Sequence, residues 1–215
     1  LINLSLPTST GFTSYAANSG EVENKGIEFE ADAVILNNEF KWNASGNISF
    51  NRNKIITLGN GIQLFGASYL SVGSIGLGQP ANTALEGFPI GAFYGYQVNG
   101  VYQSADEVAA GPKDPTNPTP GDIKYVDTNN DGVISVADRT ILGSPYPNYT
   151  FGFNNDFRWK AFSLNVFFMG NIGQKVMNLN RHILDALTYT TGANVRTEAW
   201  QGRWQGEGTS NYYPQ

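Results

Sequence analysis

The densest run of oxygen-bearing side chains in this sequence lies between residues 127 and 138. Asp127, Asn129 and Asp131 alternate along the chain, and Gly132 follows them. A twelve-residue calcium loop has this spacing, because a hard cation takes six to eight oxygens at about 2.3–2.6 Å and the sharp reversal at position 6 needs glycine. The pattern predicts a Ca²⁺ site with these ligands: Asp127, Asn129, Asp131, the carbonyl of Val133, Ser135 through a water, and Asp138.

The flanks of this loop indicate what such an ion would do. Position 12 is Asp138 rather than the longer Glu, so its carboxylate must come closer to the ion to bind through both oxygens. Residues 123–126 have the pattern of a strand, which does not fit a paired helix-loop-helix sensor. We therefore expect a structural calcium clip that orders its loop. An Asx-rich turn without an ion is the alternative.

Other residue types that could do chemistry give weaker signals. Tyr94, Tyr96, Trp200 and Trp204 are candidates for stacking on a ligand, although aromatic side chains also fill cores and interfaces. His182 is the only histidine and lies in no nucleophile or metal motif. Because no nucleophile and base converge in the sequence, we do not expect an enzyme.

Three carboxylates occur at two-residue spacing in a segment with the pattern of a β-strand. Glu28, Glu30 and Asp32 could suggest the paired carboxylates of a glycosidase, but they share one face of a segment whose other face is apolar. That period of two is the period of a half-buried strand. The same alternation recurs in three further segments and predicts two hairpins, at about 25–50 and 149–169, whose four strands are 25–34, 40–50, 149–159 and 162–169.

The segments outside these hairpins are long. Residues 51–148 are rich in Gly, Pro and Asn, and no strand alternation recurs in residues 170–215, so we expect both segments to form loops. Within them the pattern predicts short strands at 91–99 and 121–126, coil over 106–120, a helix over 180–187 and a helical turn near 197–200.

Short turns on one side and long loops on the other are typical of an outer-membrane barrel, whose strands have a lipid face and a polar lumen face. The predicted fold class is all-β, as part of an antiparallel transmembrane β-barrel with long extracellular loops. A β-sandwich alternates in the same way, so a secreted or cell-surface calcium-containing module that binds carbohydrate or protein is the alternative. The two differ at the face bearing Phe29, Trp42, Ile48, Phe151, Phe157 and Leu164, which meets lipid in a barrel and a second sheet in a sandwich.

Composition excludes several classes of protein. The net charge of −5, without clustered Lys and Arg, argues against a nucleic-acid partner. The absence of Cys removes disulfides and thiolate chemistry. The sequence begins at Leu1 without a signal peptide, and we expect it to be a piece of a larger protein.

Several motifs along residues 10–170 resemble, in wording and order, those of the SusC/RagA family of TonB-dependent transporters. The segments are Gly20–Phe29, Asn47–Lys54, Pro89–Tyr96, Pro120–Tyr125, Asp127–Asp138, Arg139–Gly143 and Pro147–Asn155.

The resemblance implies residence in the outer membrane of a Gram-negative bacterium and TonB-dependent import of a nutrient such as a glycan or peptide. It also implies a SusD-like lipoprotein lid over the external face. The family's plug domain, TonB-contacting segment and closing C-terminal strands are not recognisable in these residues, so TonB would act through absent segments. We expect residues 1–215 to be a partial barrel that cannot transport alone.

Overall fold

The computed structural model describes residues 2–18, 20–59, 64–65, 81–185 and 194–215. The chain divides into two compact units, the first formed by residues 1–93 and 143–175 and the second by residues 94–142 and 176–215. The first unit is dominated by a large antiparallel sheet, and the second by short strands and helices.

The large sheet consists of the two hairpins predicted from the alternation. Strand β3 spans Glu21–Asn37 and β4 spans Phe40–Thr57, while β11 spans Tyr149–Trp159 and β12 spans Phe162–Ile172. The order is β12-β11-β4-β3, so the hairpins pair directly through β4 and β11. Phe40 opposes Trp159, which places the tight turns at 38–39 and 160–161 at the same end of the sheet. The segment between β4 and β11 therefore leaves and re-enters the sheet at the opposite end.

The two faces of this sheet differ as the alternation predicts. On one face, Ile48 lies between its cross-strand partners Phe29 and Phe151. On the other face, Ser49 lies between Glu28 and Thr150. The apolar face is open: Phe29 is 63% exposed and Leu164 is 60% exposed. In a sandwich these side chains would be covered by a second sheet, whereas in a barrel they face lipid.

The first hairpin is longer than the sequence analysis predicts. The predicted strands end at residues 34 and 50, but β3 covers 21–37 and β4 continues to Thr57. Residues 51–54 read Asn-Arg-Asn-Lys, and a strand with polar side chains on both faces has no alternation to detect. The hydrogen bonds between Ile55 N–H and the carbonyl of Phe88, and between Gly87 N–H and the carbonyl of Ile55, cover the strand edge beyond β11.

The remaining elements of the first unit are small. Strand β1 (Ile2–Ser5) pairs with β2 (Ser14–Ala17), and β6 (Asn82–Ala84) pairs with both β5 (Leu64–Phe65) and β7 (Ala92–Tyr96). A 3-10 turn spans Thr8–Thr10.

The second unit contains β8 (Val98–Val101) paired with β9 (Ile123–Tyr125), and helices α1 (Ala105–Ala110), α2 (Leu179–Leu184) and α3 (Thr197–Gly202). Strand β10 spans Arg139–Gly143 after a 3-10 turn at Val136–Asp138. Among the described residues, no helix combines the length and the apolar character that a membrane crossing requires.

Helix α1 corrects the prediction of coil over 106–120. Ser104 is its N-cap and accepts a hydrogen bond from Glu107 N–H at 3.2 Å, while the Glu107 carboxylate accepts one from Gln103 N–H at 2.7 Å. This capping arrangement satisfies N–H groups that the first turn leaves unpaired. The prolines at 112, 115, 118 and 120 dominate the composition of the segment and obscure the capping signal.

The second unit has a small core of its own. Tyr102 is 1% exposed, and Val101, Ile134 and Ala199 are also buried. Tyr102 N–H donates to the carbonyl of Asp122, and Gly121 N–H donates to the carbonyl of Tyr102. Burial of the ring raises the pKa of the Tyr102 hydroxyl, with the positive charge of Lys124 acting in the opposite direction.

Candidate functional site

The polar face of the large sheet is a hydrogen-bonded surface. Asn165 Nδ2 donates to Asn154 Oδ1 at 2.7 Å and to Asp156 Oδ1 at 3.0 Å, and Asn154 Nδ2 donates to Asp156 Oδ2 at 3.0 Å. Beside this network lies an open hollow of 380 Å³, whose lining includes Asp32, Asn43, Ser45 and Asp156. Such a surface suits a water-filled lumen.

Glu28, Glu30 and Asp32 lie along this polar face, on strand β3. Ser49 Oγ donates to Glu28 Oε1 at 3.0 Å. Their register partners are Ser49, Asn47 and Ser45, which are hydroxyl and amide residues. The three carboxylates thus follow a single strand, which fits a solvated face better than a glycosidase pair.

Two apolar residues break the alternation on the polar face. Phe167 opposes Asn154, and Met169 opposes Gly152. Both are open, at 57% and 72% exposed. The sequence analysis gives neither residue a role.

Between the rings of the apolar face lies a buried polar side chain that the sequence analysis does not place. Asn155 lies between Phe153 and Phe157 on β11 and is 7% exposed. Its Oδ1 accepts a hydrogen bond from Trp42 Nε1 at 3.1 Å. Pairing with the indole N–H satisfies this buried oxygen, which would be costly to leave without a partner.

Aromatic rings cluster towards both ends of the apolar face. Phe40 and Trp42 stack on Phe157 with ring centroids 6.0 and 5.6 Å apart, near the tight turns. At the other end Phe50 meets Tyr149 at 5.7 Å. These rings lie where the aromatic girdles of a membrane barrel are found.

The acidic loop of the second unit is folded around its own amides. Asp127 accepts hydrogen bonds from Asp131 N–H at 3.2 Å and Gly132 N–H at 2.8 Å. Asn129 Oδ1 accepts from Asp131 N–H, and Asp131 Oδ1 accepts from Val133 N–H. Gly132 has φ +82°, a left-handed conformation that favours glycine at this position.

Asp138 anchors the end of this loop. Its side chain is fully buried, and its two oxygens accept from Ser135 N–H at 2.7 Å and Thr128 N–H at 2.9 Å. The hydrogen bond from Ser135 has the largest effect and lowers the pKa of Asp138, and those from Thr128 and Asn129 act in the same direction against the effect of burial. Asp138 thus joins the first and last turns of the loop while staying ionised.

No group of three or more Asp, Glu, His or Cys side chains converges on a possible metal position within the described part of the chain. Asn129 Nδ2 instead donates to Asp131 Oδ2 at 2.9 Å, so two predicted ligands bind each other. The alternating oxygens of the loop are therefore arranged as Asx turns.

The four candidate aromatic residues have different environments. Tyr94 and Tyr96 are half-buried in β7, and Tyr96 packs against Tyr125 at 5.3 Å with the Arg139 guanidinium 5.1 Å from its ring centroid. Trp204 is half-buried, and its Nε1 donates to Gln103 Oε1 at 3.3 Å. Trp200 is 55% exposed, with the Arg203 guanidinium 3.6 Å from its ring centroid. Of the four, Trp200 offers the most accessible ring.

Sequence reasoning missed an ion-pair network around Asp185. Arg196 Nε donates to Asp185 Oδ1 at 2.6 Å and Arg181 Nε donates to Asp185 Oδ2 at 3.0 Å, while Arg196 Nη2 donates to the Tyr213 hydroxyl at 3.0 Å. Burial raises the pKa of Asp185, but the hydrogen bonds from the two arginines outweigh it and the net pKa lies below the usual value. Only the i,i+4 spacing of Arg181 and Asp185 was visible in the sequence. His182 lies in helix α2 between them, and its side chain falls outside the described part of the structure.

An antiparallel sheet with one apolar and one polar face fits a class of protein, the β-barrels, whose walls are built in this way. Comparison with known proteins supports it. The chain is 39% identical over 174 residues to TonB-dependent receptor P3 of Formosa agariphila, a match that covers 80% of this chain and 17% of that receptor. It is 28% identical over 171 residues to TonB-dependent receptor SusC of Bacteroides thetaiotaomicron, covering 77% of this chain and 15% of SusC. No family model matches the sequence.

Among solved structures, the RagAB peptide transporter has the same fold over the whole chain, with a TM-score of 0.69, 20% sequence identity and coverage of 22% of that chain. The predicted fold class is thereby confirmed. In sequence the chain is thus similar over most of its length to TonB-dependent receptors, SusC among them, which is consistent with a fragment of a SusC/RagA-type receptor. It spans less than a fifth of the length of the two receptors named above.

Proposed function

We propose that this chain forms part of the wall and external mouth of an outer-membrane importer that takes up nutrient oligomers, either glycans or peptides, in a TonB-dependent manner. The barrel's part is passive: its polar face lines the lumen, and its loops capture ligand at the mouth. Energy would reach it through segments outside residues 1–215.

One observation carries the proposal. The four-stranded sheet has an open apolar face and a polar, hydrogen-bonded face, and TonB-dependent receptor P3 matches 80% of the chain that carries it. In water an exposed apolar patch of this extent would favour aggregation, whereas in a bilayer the same face is solvated by lipid. The alternative, a secreted or cell-surface calcium-containing module, would have to cover Phe29, Phe162 and Leu164, all of which are exposed.

The test uses the full reading frame in its native host. We expect the protein to sediment with the outer membrane and to need detergent to stay monodisperse. We also expect its deletion to abolish growth on one class of oligomer, glycan or peptide, with growth on the monomers unchanged. A protein that stays soluble without detergent would contradict the proposal, and growth on the two oligomer classes identifies the nutrient.

We further propose a lipoprotein lid that resembles SusD over the external loops. The support is the similarity to SusC and RagAB and the exposed aromatic side chains of the second unit, Trp200 at 55% and Tyr212 at 68% exposed. Aromatic residues of this kind are enriched in protein interfaces. An affinity-tagged full-length receptor should co-purify one lipoprotein, and Trp200→Ala with Tyr212→Ala should weaken its retention relative to the untouched receptor.

The acidic loop is proposed to bind Ca²⁺ as a structural clip. Asp127, Asn129, Asp131, the carbonyl of Val133, Ser135 and Asp138 would be the ligands, and the support is their spacing and the ionised state of Asp138. Binding would require Asn129 and Asp131 to exchange their mutual hydrogen bond for the ion, so metal binding and loop order should be coupled.

Calcium titration of the full-length receptor, followed by protection of residues 127–138 from hydrogen exchange, tests this clip. We expect saturable protection that Asp127→Asn and Asp131→Asn remove, while Asp106→Asn in helix α1 leaves it unchanged. Equal protection with and without calcium would identify the loop as an ion-free Asx turn.

A further inference from the structure

A pair of like charges lies directly opposite each other on the first hairpin. Lys25 on β3 is the register partner of Arg52 on β4, and the next pair outward on the same face is Glu23 with Lys54. Like charges directly opposite in an antiparallel pair are destabilising unless something compensates them. Lys25 Nζ contacts Glu23 at 2.5 Å, but Arg52 and Lys54 have no ion-pair partner among the described residues.

The position of this cluster relative to the apolar face is fixed by the register. No bulge interrupts the pairing of β3 with β4 between Val22 and Val34. The pair of Lys25 and Arg52 therefore lies on the same face as the next two pairs of alternate residues, Ile27 with Phe50 and Phe29 with Ile48. Successive residues on one face are about 7 Å apart along a strand. Lys25 and Arg52 therefore lie about 7 Å beyond the last apolar pair, at the end away from the tight turns, and Lys54 about 7 Å further.

In a barrel that spans a membrane, residues just beyond the apolar band lie at the level of the lipid headgroups. The ring pair of Phe50 and Tyr149 marks the upper edge of the apolar band. Basic side chains immediately outside a hydrocarbon-facing band are attracted to anionic headgroups. Lys25, Arg52 and Lys54 are all exposed, so their charged ends are accessible from this side.

The local surface also offers a shaped site. An open cleft of 440 Å³ is lined by all three cations together with Glu23, Tyr146 and amide side chains at 51, 53 and 148. The lining carries three positive charges and one negative charge, a net charge of +2, in a chain whose overall charge is −5. Arg and Lys bind phosphate oxygens through charge-assisted hydrogen bonds, and the hydroxyl of Tyr146 can bind a hydroxyl group of a sugar.

We propose that Lys25, Arg52 and Lys54 form a binding site for the phosphorylated, sugar-containing headgroup of an outer-leaflet lipid. The phosphate lies between Lys25 and Arg52 and relieves their mutual repulsion, while the acyl chains follow the apolar face below. The inference rests on the proposed function, because it requires the sheet to span the outer membrane.

The experiment measures binding of a fluorescent acylated glucosamine-disaccharide phosphate to the full-length receptor in neutral detergent. The matched control uses Lys41 and Arg158, which are also direct cross-strand partners and also exposed, but lie on the polar face near the tight turns. Lys25→Gln with Arg52→Gln should weaken binding about thirtyfold, and Lys41→Gln with Arg158→Gln should leave it within about twofold. The dephosphorylated lipid should bind the parent protein as weakly as the phosphorylated lipid binds the first variant.

Four outcomes would overturn the site. The first is equal binding by the parent and the Lys25/Arg52 variant, and the second is an equal loss in both double variants, which indicates general charge attraction. The third is competition by inorganic phosphate at the same concentration as the lipid, which identifies a free-anion site. The fourth is a Lys25/Arg52 variant that loses binding to an acidic oligosaccharide while its lipid binding is unchanged, which assigns the cleft to a nutrient ligand.

Insertion in the outer membrane tests the proposed function separately from the headgroup site. If the parent receptor is absent from the outer membrane, the proposed function fails. If both double variants insert in the outer membrane as the parent does and lipid binding is unaffected, only the headgroup site fails.

Discussion

The large sheet and the second unit use their aromatic residues in opposite ways. The sheet leaves Phe29 63% and Phe162 73% exposed on one face, whereas the second unit encloses Tyr102 at 1% exposed. A ring that is buried against other side chains gains its stability within the protein, whereas a ring on an open face gains it only from the surrounding medium. The second unit is therefore built like a small soluble domain, and the sheet like a wall that requires lipid.

The largest effect is expected when the core of the second unit is emptied. Tyr102→Ala should destabilise that unit by about 3–5 kcal/mol, because truncating a fully buried aromatic residue leaves a cavity. Hydrogen exchange of the full-length receptor should show loss of protection at residues 98–125 with the sheet unchanged. Tyr212→Ala, at an exposed ring, should change little, and equal loss in the sheet would break the comparison.

The second-largest effect is expected when a charge is placed on the apolar face of the sheet. Phe29→Arg should destabilise the inserted barrel by about 2–4 kcal/mol, since arginine on a lipid face is costly near the bilayer midplane. Glu30→Arg, at the next residue and on the polar face, should be tolerated. Urea unfolding of the full-length receptor from vesicles gives both values. If Glu30→Arg costs more than Phe29→Arg, the two faces have been assigned the wrong way round.

A smaller effect is expected at the polar group on the apolar face. Trp42→Phe removes the donor to Asn155 Oδ1 and should cost about 1–3 kcal/mol in vesicles, because the buried oxygen loses its partner. Adding Asn155→Leu to this variant should recover part of the loss. Trp159→Phe, at an exposed ring that makes no side-chain hydrogen bond to the described residues, should cost less. No recovery in the double variant would mean that the Trp42 indole acts through packing alone.

The smallest effect is the response to acid. Hydrogen bonds lower the pKa values of Glu107, Asp138 and Asp185 below their unfolded values. Their contribution to stability is therefore complete above the unfolded pKa of about 4 and is lost as pH falls through the folded values. Hydrogen exchange at decreasing pH should show the second unit opening before the sheet. Asp138→Asn should shift that opening towards neutral pH, and an unchanged profile would mean that the loop gains nothing from this charge.

The sequence predicted the sheet better than the loops. Alternation is a property of neighbouring residues, so the faces of Phe29 and Glu28 could be assigned without knowing their partners. The acidic loop was also visible, because its spacing is local. The continuation of β4 to Thr57 was not, since Arg52 and Lys54 lie outside the apolar band and leave no alternation to detect. Helix α1 was missed because four prolines follow it within ten residues of sequence.

What the sequence determined by itself is the set of strands, their two faces and the spacing of oxygens in the acidic loop. Only the tertiary structure decided that β4 pairs with β11, that Lys25 meets Arg52 above the apolar band, and that Arg196 and Arg181 converge on Asp185. The physical reason is distance along the chain. Alternation and loop spacing act between residues a few positions apart, whereas pairing and charge convergence depend on which distant segments are brought together by burial and backbone hydrogen bonding.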